Sequence, residues 1–383
     1  MSELKDLMVQ WRHHFHAHPE YALEEVETSA YIAARLREMG IEVEERVGKT
    51  GVVGTLKCGD GKKIVGLRAD FDCIKLDELN ECEYKSQNPG FMHACGHDGH
   101  TAALLGAAKI LSESKDFNGT VRFVFQPGEE PGWGARAMIE DGFFERCPVD
   151  EMYGMHNTPL LPGGTFVTCP GGFCSAEDNF KIVIKGRGGH ASQPDVVIDP
   201  LVIASQIILA LQTIVSRNTP PLETSVVSCT ELFTDGNHNA VPGTVTILGD
   251  ARSYTKNIST MIEKRMREIV AGICTAHGAD YEVEYTHEFA STVNWPEKIP
   301  TLIEAATHIV GAENVNGDCE PFAGSEDFGL FIESVPGAFA FYGTARGDGT
   351  DTPLHNPRYN FNDDYLEMAA NLYAEIARVA LSK

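Results

Sequence analysis

Between Asn179 and Phe289 the order of local signals leaves the chain few folds to adopt. A strand over Asn179 to Lys185 leads through Gly186-Arg187-Gly188-Gly189-His190 to a helix that Asp199 caps and Pro200 opens, running to about Ser216. Strands over Thr224 to Phe233 and Val245 to Ala251 follow, then a helix from about Ile258 to His277 that Gly278 ends, then a strand over Tyr281 to Phe289. The sum is β-α-β-β-α-β, a ferredoxin-like arrangement that completes itself in about a hundred residues. Strand and helix patterns resume on its far side. The spacing therefore predicts a small domain, residues 179–290, inserted into a larger α/β domain made of residues 1–178 and 291–383.

Inside the larger domain, apolar strands run into polar, metal-capable groups. Lys63 to Asp72 ends on Asp70 and Asp72, and Val121 to Gln126 runs through Pro127-Gly128 into Glu129-Glu130. Met152-Tyr153-Gly154-Met155 ends on His156, and Thr352-Pro353-Leu354-His355-Asn356-Pro357 is a proline-framed loop presenting one histidine. The densest stretch is His93-Ala94-Cys95-Gly96-His97-Asp98-Gly99-His100, read as a glycine-bent loop with Cys95 and His97 entering a helix over Thr101 to Leu111. Parallel α/β strands bring their carboxyl ends to one crevice, so these groups are expected to meet. Adjacent glutamates repel unless a cation lies beside them. One can bind it while the other takes a proton from water. Asp72 is the better placed of the two strand-end aspartates to orient a ligand. His13, His14, His16 and His18 point in different directions around one helix, and ligation by them is not expected.

The acidic balance, 55 Asp plus Glu against 31 Lys plus Arg for a net charge of -24, argues against nucleic acid and anionic membrane as partners. No stretch reads as membrane-spanning, and Met1-Ser2-Glu3-Leu4-Lys5 does not open a signal peptide, so a cytoplasmic location is expected. The ten cysteines lack paired spacing, the usage of a reducing compartment.

Thiolate, imidazole and carboxylate together suit zinc, manganese, cobalt or nickel rather than calcium or magnesium. Cys95, His97, Glu129, Glu130, His156 and His355 exceed the need of one tetrahedral ion, and two divalent ions would use them. The motifs His93 to Asp98, Phe125 to Glu130, Gly154-Met155-His156, Gly188-Gly189-His190-Ala191-Ser192, Ser325-Glu326-Asp327-Phe328 and Leu354-His355 resemble, in order along nearly the whole chain, the N-acyl-amino-acid amidohydrolase family. That group includes hippurate hydrolases, aminoacylases and auxin-conjugate hydrolases. The resemblance implies a mixed-sheet dinuclear metallohydrolase domain with Cys95, His97, Glu130, His156 and His355 as ligands and Glu129 as general base and acid. It also implies that the inserted domain is a lid and dimerisation surface, with His190, Asn239 and Arg252 facing a small N-acyl amino acid.

This chain departs from the family pattern in three places. Pro131-Gly132-Trp133 sets a stiff turn and an indole after the paired glutamates; Ala240 is small; and Asp250 stands where relatives often carry threonine. Each bears on substrate choice. The alternatives to an acyl-amino-acid hydrolase are a related peptidase or carbamoylase and a binding protein that metals merely brace.

Overall fold

The apolar runs pair as strands in a computed structural model that describes residues 2–383. Helices α1 (Glu3–Ala17) and α2 (Val26–Glu38) precede strands β1 (Glu42–Val47), β2 (Gly51–Cys58) and β3 (Ile64–Asp70). Helix α3 (His97–Ser114), strand β4 (Gly119–Gln126), the short helices α4 (Gly134–Glu140) and α5 (Phe143–Arg146), and strands β5 (Glu151–Pro162) and β6 (Phe166–Val167) follow. The chain then builds β7 (Ala176–Lys185), α6 (Pro200–Thr213), β8 (Ser225–Thr234), β9 (Thr244–Ser253), α7 (Lys256–His277) and β10 (Asp280–Phe289). It finishes with α8 (Ile299–Val310), β11 (Val315–Asn316), α9 (Gly329–Ser334), β12 (Gly337–Ala345) and α10 (Leu366–Ser382).

Two compact units result, one of Met1–Phe173, Val293–Pro321 and Asp327–Lys383, the other of Cys174–Thr292 and Phe322–Glu326. The first is organised on an eight-stranded sheet in the order β1-β2-β4-β3-β5-β12-β6-β11. Its centre is parallel: β3 pairs with β4 and β5, and β12 with β5. On one face of these strands Val65, Leu67, Ala69, Val121, Phe123 and Phe125 are buried in the apolar core, while the other face carries the buried polar groups of Arg68, Asp70 and Gln126. Helix α3 packs among α1, α10 and β3 and is buried over most of its length.

The second unit is a four-stranded antiparallel sheet, order β8-β9-β7-β10, with α6 and α7 packed on it. Its own core runs through Phe180, Ile182, Ile184, Ile207, Ile247 and Val270. The helix boundaries follow local chemistry: Asp199 accepts from the Leu201 N–H at 2.9 Å, and Gly278 ends α7 at φ +70.

Three expectations need correction. Helix α3 begins at His97, so that residue sits in the first helical turn and not on a loop. Strand β5 does not stop at His156 but continues to Pro162. The helical stretch Pro200–Asn218 is long and apolar enough to cross a membrane by length and composition alone, contrary to the reading that no stretch qualifies. Its buried residues Ile203, Ala204, Ile207 and Leu211 are used in the core of the second unit, which accounts for much of that apolarity.

Candidate metal centre

Every predicted metal ligand lies in the first unit. The loop before α3 turns at Gly96, φ +95, where a Cβ would fall 2.5 Å from Asn157 Oδ1 and 2.9 Å from the Tyr359 hydroxyl. Only glycine allows that approach. The turn presents Cys95 and puts His97 at the first position of the helix. Strand β4 delivers Glu129 and Glu130 through a tight turn in which the Gly132 and Trp133 N–H groups donate to the Glu129 and Gly128 carbonyls at 2.7 and 3.1 Å. His156 lies two residues beyond Gly154, the last residue of β5 that pairs with β3, and there His100 Nε2 accepts from the Asn157 N–H and the Tyr373 hydroxyl donates to the Met155 carbonyl. His355 holds a left-handed backbone, φ +62, rare for a side chain of its size, and its N–H donates to the Ala94 carbonyl at 2.8 Å. That bond ties the late loop to the residue beside Cys95.

The side chains converge. Donor atoms of Cys95, His97 and Glu130 lie within 4.8 Å of one another. His156 Nε2 is 3.4 Å from Cys95 Sγ, and His355 Nε2 is 3.4 Å from Glu130 Oε2. The five groups thus form a chain with the thiol and Glu130 towards its middle, a layout that suits two ions better than one. Glu129 Oε2 stands 3.9 Å from His97 Nε2.

Electrostatics test whether the residues fit cations. His97 Nε2 and Glu130 Oε1 are buried atoms with no hydrogen-bond partner. His97 Nε2 is 3.8 Å from Asp70 and 3.9 Å from each of Glu129 and Glu130, within reach of their charge but too far to bond. Burial alone would push the His97 imidazolium down, but Asp70, then Asp72 and Glu130, outweigh it and raise it to about 10. Burial also pushes the Glu130 carboxyl up, with Asp72 and Asp70 adding to it against His97. A pocket that draws protons onto a histidine and a glutamate has an excess of negative charge, which divalent cations would neutralise. His156 and His355 are driven down by burial, then by neighbouring histidines, and stay neutral as ligands must.

A buried shell orients these groups. His97 Nδ1 meets both Asp72 Oδ1 at 3.1 Å and the Asp72 carbonyl at 3.0 Å, while Asp72 Oδ2 accepts from the Glu130 N–H at 3.0 Å. His156 Nδ1 meets the Asn157 carbonyl at 2.6 Å. His100 sits between Asp70, at 2.6 Å, and Asn157, at 2.8 Å, so both of its ring nitrogens are engaged, and Asp70 also accepts from Arg68 at 2.8 Å. Asp327 accepts from Arg68 at 3.1 Å and from Gln126 at 2.7 Å, bracing the end of β4. Glu25 accepts from the Gly128 N–H at 2.9 Å and holds the start of the glutamate turn. His16 bonds Asp98 at 2.8 Å and Glu78 at 3.1 Å, with Arg12 alongside. Arg68, Asn157, Glu25 and Arg12 carry no motif spacing. Only the unusual burial of charged and polar groups marks them, and burial is a tertiary property.

The three predicted substrate residues lie in the second unit. Gly189-His190 pairs with Ala240-Val241, and the Ala191 N–H donates to the Asn239 carbonyl at 3.1 Å, so His190 and Asn239 are neighbours on an exposed edge. The Ser192 N–H donates to His190 Nδ1 at 3.1 Å, which leaves the proton of the neutral ring on Nε2. Arg252 is engaged: Glu177 lies at 2.9 Å, Asp250 at 3.0 Å, and its Nη1 donates to the Ser325 hydroxyl at 2.8 Å.

Residues 66–379 match the family described as peptidase family M20/M25/M40. The chain belongs to that family. It is 39% identical to hippurate hydrolase of Campylobacter jejuni over 378 residues, covering 98% of this chain and 97% of that one. It is 36% identical to N-acetylcysteine deacetylase of Bacillus subtilis over 376 residues, with 98% and 97% covered. Among solved structures it superposes on a dinuclear metal-binding M20 peptidase of Bacillus subtilis with a TM-score of 0.85, 32% identity and 99% of both chains covered. The M20 chain described here is thus a metal-dependent amidohydrolase with two divalent ions, on the mixed α/β fold its motifs imply.

Proposed function

We propose that this M20 hydrolase cleaves the amide bond of N-acyl amino acids, with Cys95, His97, Glu130, His156 and His355 holding the ions and Glu129 moving the proton. The observation that carries the reading is the continuous chain of five donor groups with a further carboxylate, Glu129, held 3.9 Å from His97 Nε2. The names of its relatives, hippurate hydrolase and N-acetylcysteine deacetylase, support the substrate class. Bound metals would polarise the scissile carbonyl and acidify the attacking water. Glu129 takes the proton from that water and hands it to the departing amine nitrogen, which needs a carboxylate in the ionised form at the outset. The Nε2–H of His190 suits a donor to the developing oxyanion, Asn239 beside it a second polar contact, and Arg252 an anchor for the substrate carboxylate. Trp133, 48% exposed on a turn whose backbone closes on Gly128, offers an aromatic face for the acyl group.

The ions are expected to be zinc, manganese, cobalt or nickel, and the location cytoplasmic, as the acidic composition and the unpaired cysteine spacing suggest. A homodimer through the second unit, acting as a lid, is supported by its surface: β8 is an edge strand with Leu232 and Phe233 exposed, and α6 exposes Val202 and Leu209. Light scattering of the purified chain tests this, and a monomer at micromolar concentration would refute it.

The central experiment is a panel of acetyl, benzoyl and longer acyl amino acids, run beside dipeptides on metal-reconstituted protein. Faster turnover of the acyl amino acids is expected; faster turnover of dipeptides would favour the peptidase alternative. Glu129→Gln should keep metal content and fold while kcat falls by about a hundredfold or more, since general acid–base catalysis contributes that much. Unchanged kcat would remove Glu129 from its role, and full loss of metal would make it a ligand instead.

A further inference from the structure

The metal centre accounts for Cys95 but not for two other cysteines that meet in the same unit. Strands β6 and β11 run parallel at the sheet edge, with Val315 opposite Phe166 and Asn316 opposite Val167. The pairing continues beyond both strands: the Thr168 N–H donates to the Asn316 carbonyl at 2.9 Å, and the Cys319 N–H donates to the Thr168 carbonyl at 3.2 Å. This ladder sets Cys169 and Cys319 side by side, and their thiols are hydrogen-bonded to each other. Cys169 is buried, with its sulfur 3.9 Å from the Gly172 carbonyl, whereas Cys319 is partly exposed. The bond from Cys319 draws the Cys169 thiol below its ordinary value, although burial opposes it. Burial pushes Cys73, Cys147, Cys229 and Cys274 the other way. One accessible thiol backed by a buried partner of raised thiolate character is the layout of an attacking and a resolving pair.

We propose that Cys169 and Cys319 form a reversible disulfide, with a low-molecular-weight disulfide as the oxidant. The Cys319 thiolate attacks one sulfur of the small disulfide, forming a mixed disulfide and expelling one small thiolate. The Cys169 thiolate then attacks the Cys319 sulfur, closing the protein disulfide and expelling the second small thiolate. Two protein thiols are oxidised, one small disulfide is reduced to two thiols, and the two protons leave with them. The bond staples the edge strand β11 to β6. It also joins two points that lie shortly before the chain leaves the first unit, at Phe173 and again at Pro321. The enclosed loop contains all of Cys174–Thr292, so closing it removes much freedom from the unfolded chain and raises the melting temperature.

The test treats full-length, metal-loaded protein with oxidised glutathione and maps its peptides without reduction. The expected result is a peptide pair joined through Cys169 and Cys319, lighter by about 2 Da than the two reduced peptides together, a melting temperature raised by a few degrees, and reversal of both by dithiothreitol. Cys169→Ser should trap glutathione on Cys319, and Cys319→Ser should leave Cys169 unreacted, each with unchanged turnover under reducing conditions. A stable glutathione adduct on Cys319 of the unaltered protein, cross-links to other cysteines, or two thiols that stay reduced would each overturn the proposal.

Discussion

Asp72 is fully buried and spends one carboxylate on two of the proposed metal ligands. Its Oδ1 lies 3.1 Å from His97 Nδ1, and its Oδ2 accepts from the Glu130 N–H at 3.0 Å. Asparagine has the same shape but only one acceptor oxygen. In Asp72→Asn the amide nitrogen must therefore face either the imidazole N–H or the Glu130 N–H, donor against donor. His97 keeps a second acceptor in the Asp72 carbonyl at 3.0 Å, so the conflict should settle on the less forgiving Glu130 side. Leaving a buried donor unpaired costs about 1–3 kcal/mol, and removing an outer partner of a metal ligand lowers affinity about 10–100-fold, which corresponds to a similar energy. We therefore expect Asp72→Asn to bind zinc or manganese about 10–100-fold more weakly while it melts within a few degrees of the unaltered protein. Titration of metal-free protein against a chromophoric chelator measures this directly. Metal affinity within about twofold of the unaltered protein would refute the orienting role, because at least one of the two bonds must be lost. Activity that stays low at saturating metal would show that Asp72 acts on the reaction by another route.

Two further perturbations bear on specificity and on pH. Asp250 and Glu177 both hold Arg252, at 3.0 and 2.9 Å, so any substrate carboxylate must compete for that guanidinium. Asp250→Thr should lower KM for carboxylate-bearing substrates by about threefold to tenfold, on the scale of one partly exposed charge pair, without raising KM for the corresponding amides; equal effects on both would break the assignment. The buried His16 would be pushed down by desolvation, but its bonds to Asp98 and Glu78 raise it to about 9. A raised folded-state value means that its contribution is complete below the unfolded value near 6.5 and is lost as pH rises through about 9. Asp98 and Glu78 are held low by His16 against burial, so their contribution fades at acid pH. Urea unfolding of metal-free protein should show stability falling between pH 6.5 and 9 by an amount on the order of a few kcal/mol. In His16→Asn that slope should become shallower, with the share that His97 contributes through its own raised value remaining, and an unchanged slope would place the titration elsewhere.

The amino-acid order alone determined a great deal here. Helix and strand periods, the Asp199 and Gly278 boundaries and the β-α-β-β-α-β run are short-range signals, and the second unit follows them closely. The polar groups standing after apolar strands converge in the candidate metal centre because parallel strands deliver their ends to one side of a sheet. Tertiary structure decided what those groups do once they meet. His97 became helical because Gly96 could turn against Asn157 and Tyr359, and His156 reached the centre from mid-strand because the pairing of β5 with β3 ends at Gly154. His100, as metal-capable as its neighbours in one dimension, has both ring nitrogens engaged by Asp70 and Asn157. Cys169 and Cys319, far apart in the chain, touch only because β11 pairs with β6. Local sequence can position a donor atom at the end of an element, but whether its lone pair is already occupied depends on which distant side chains are packed against it.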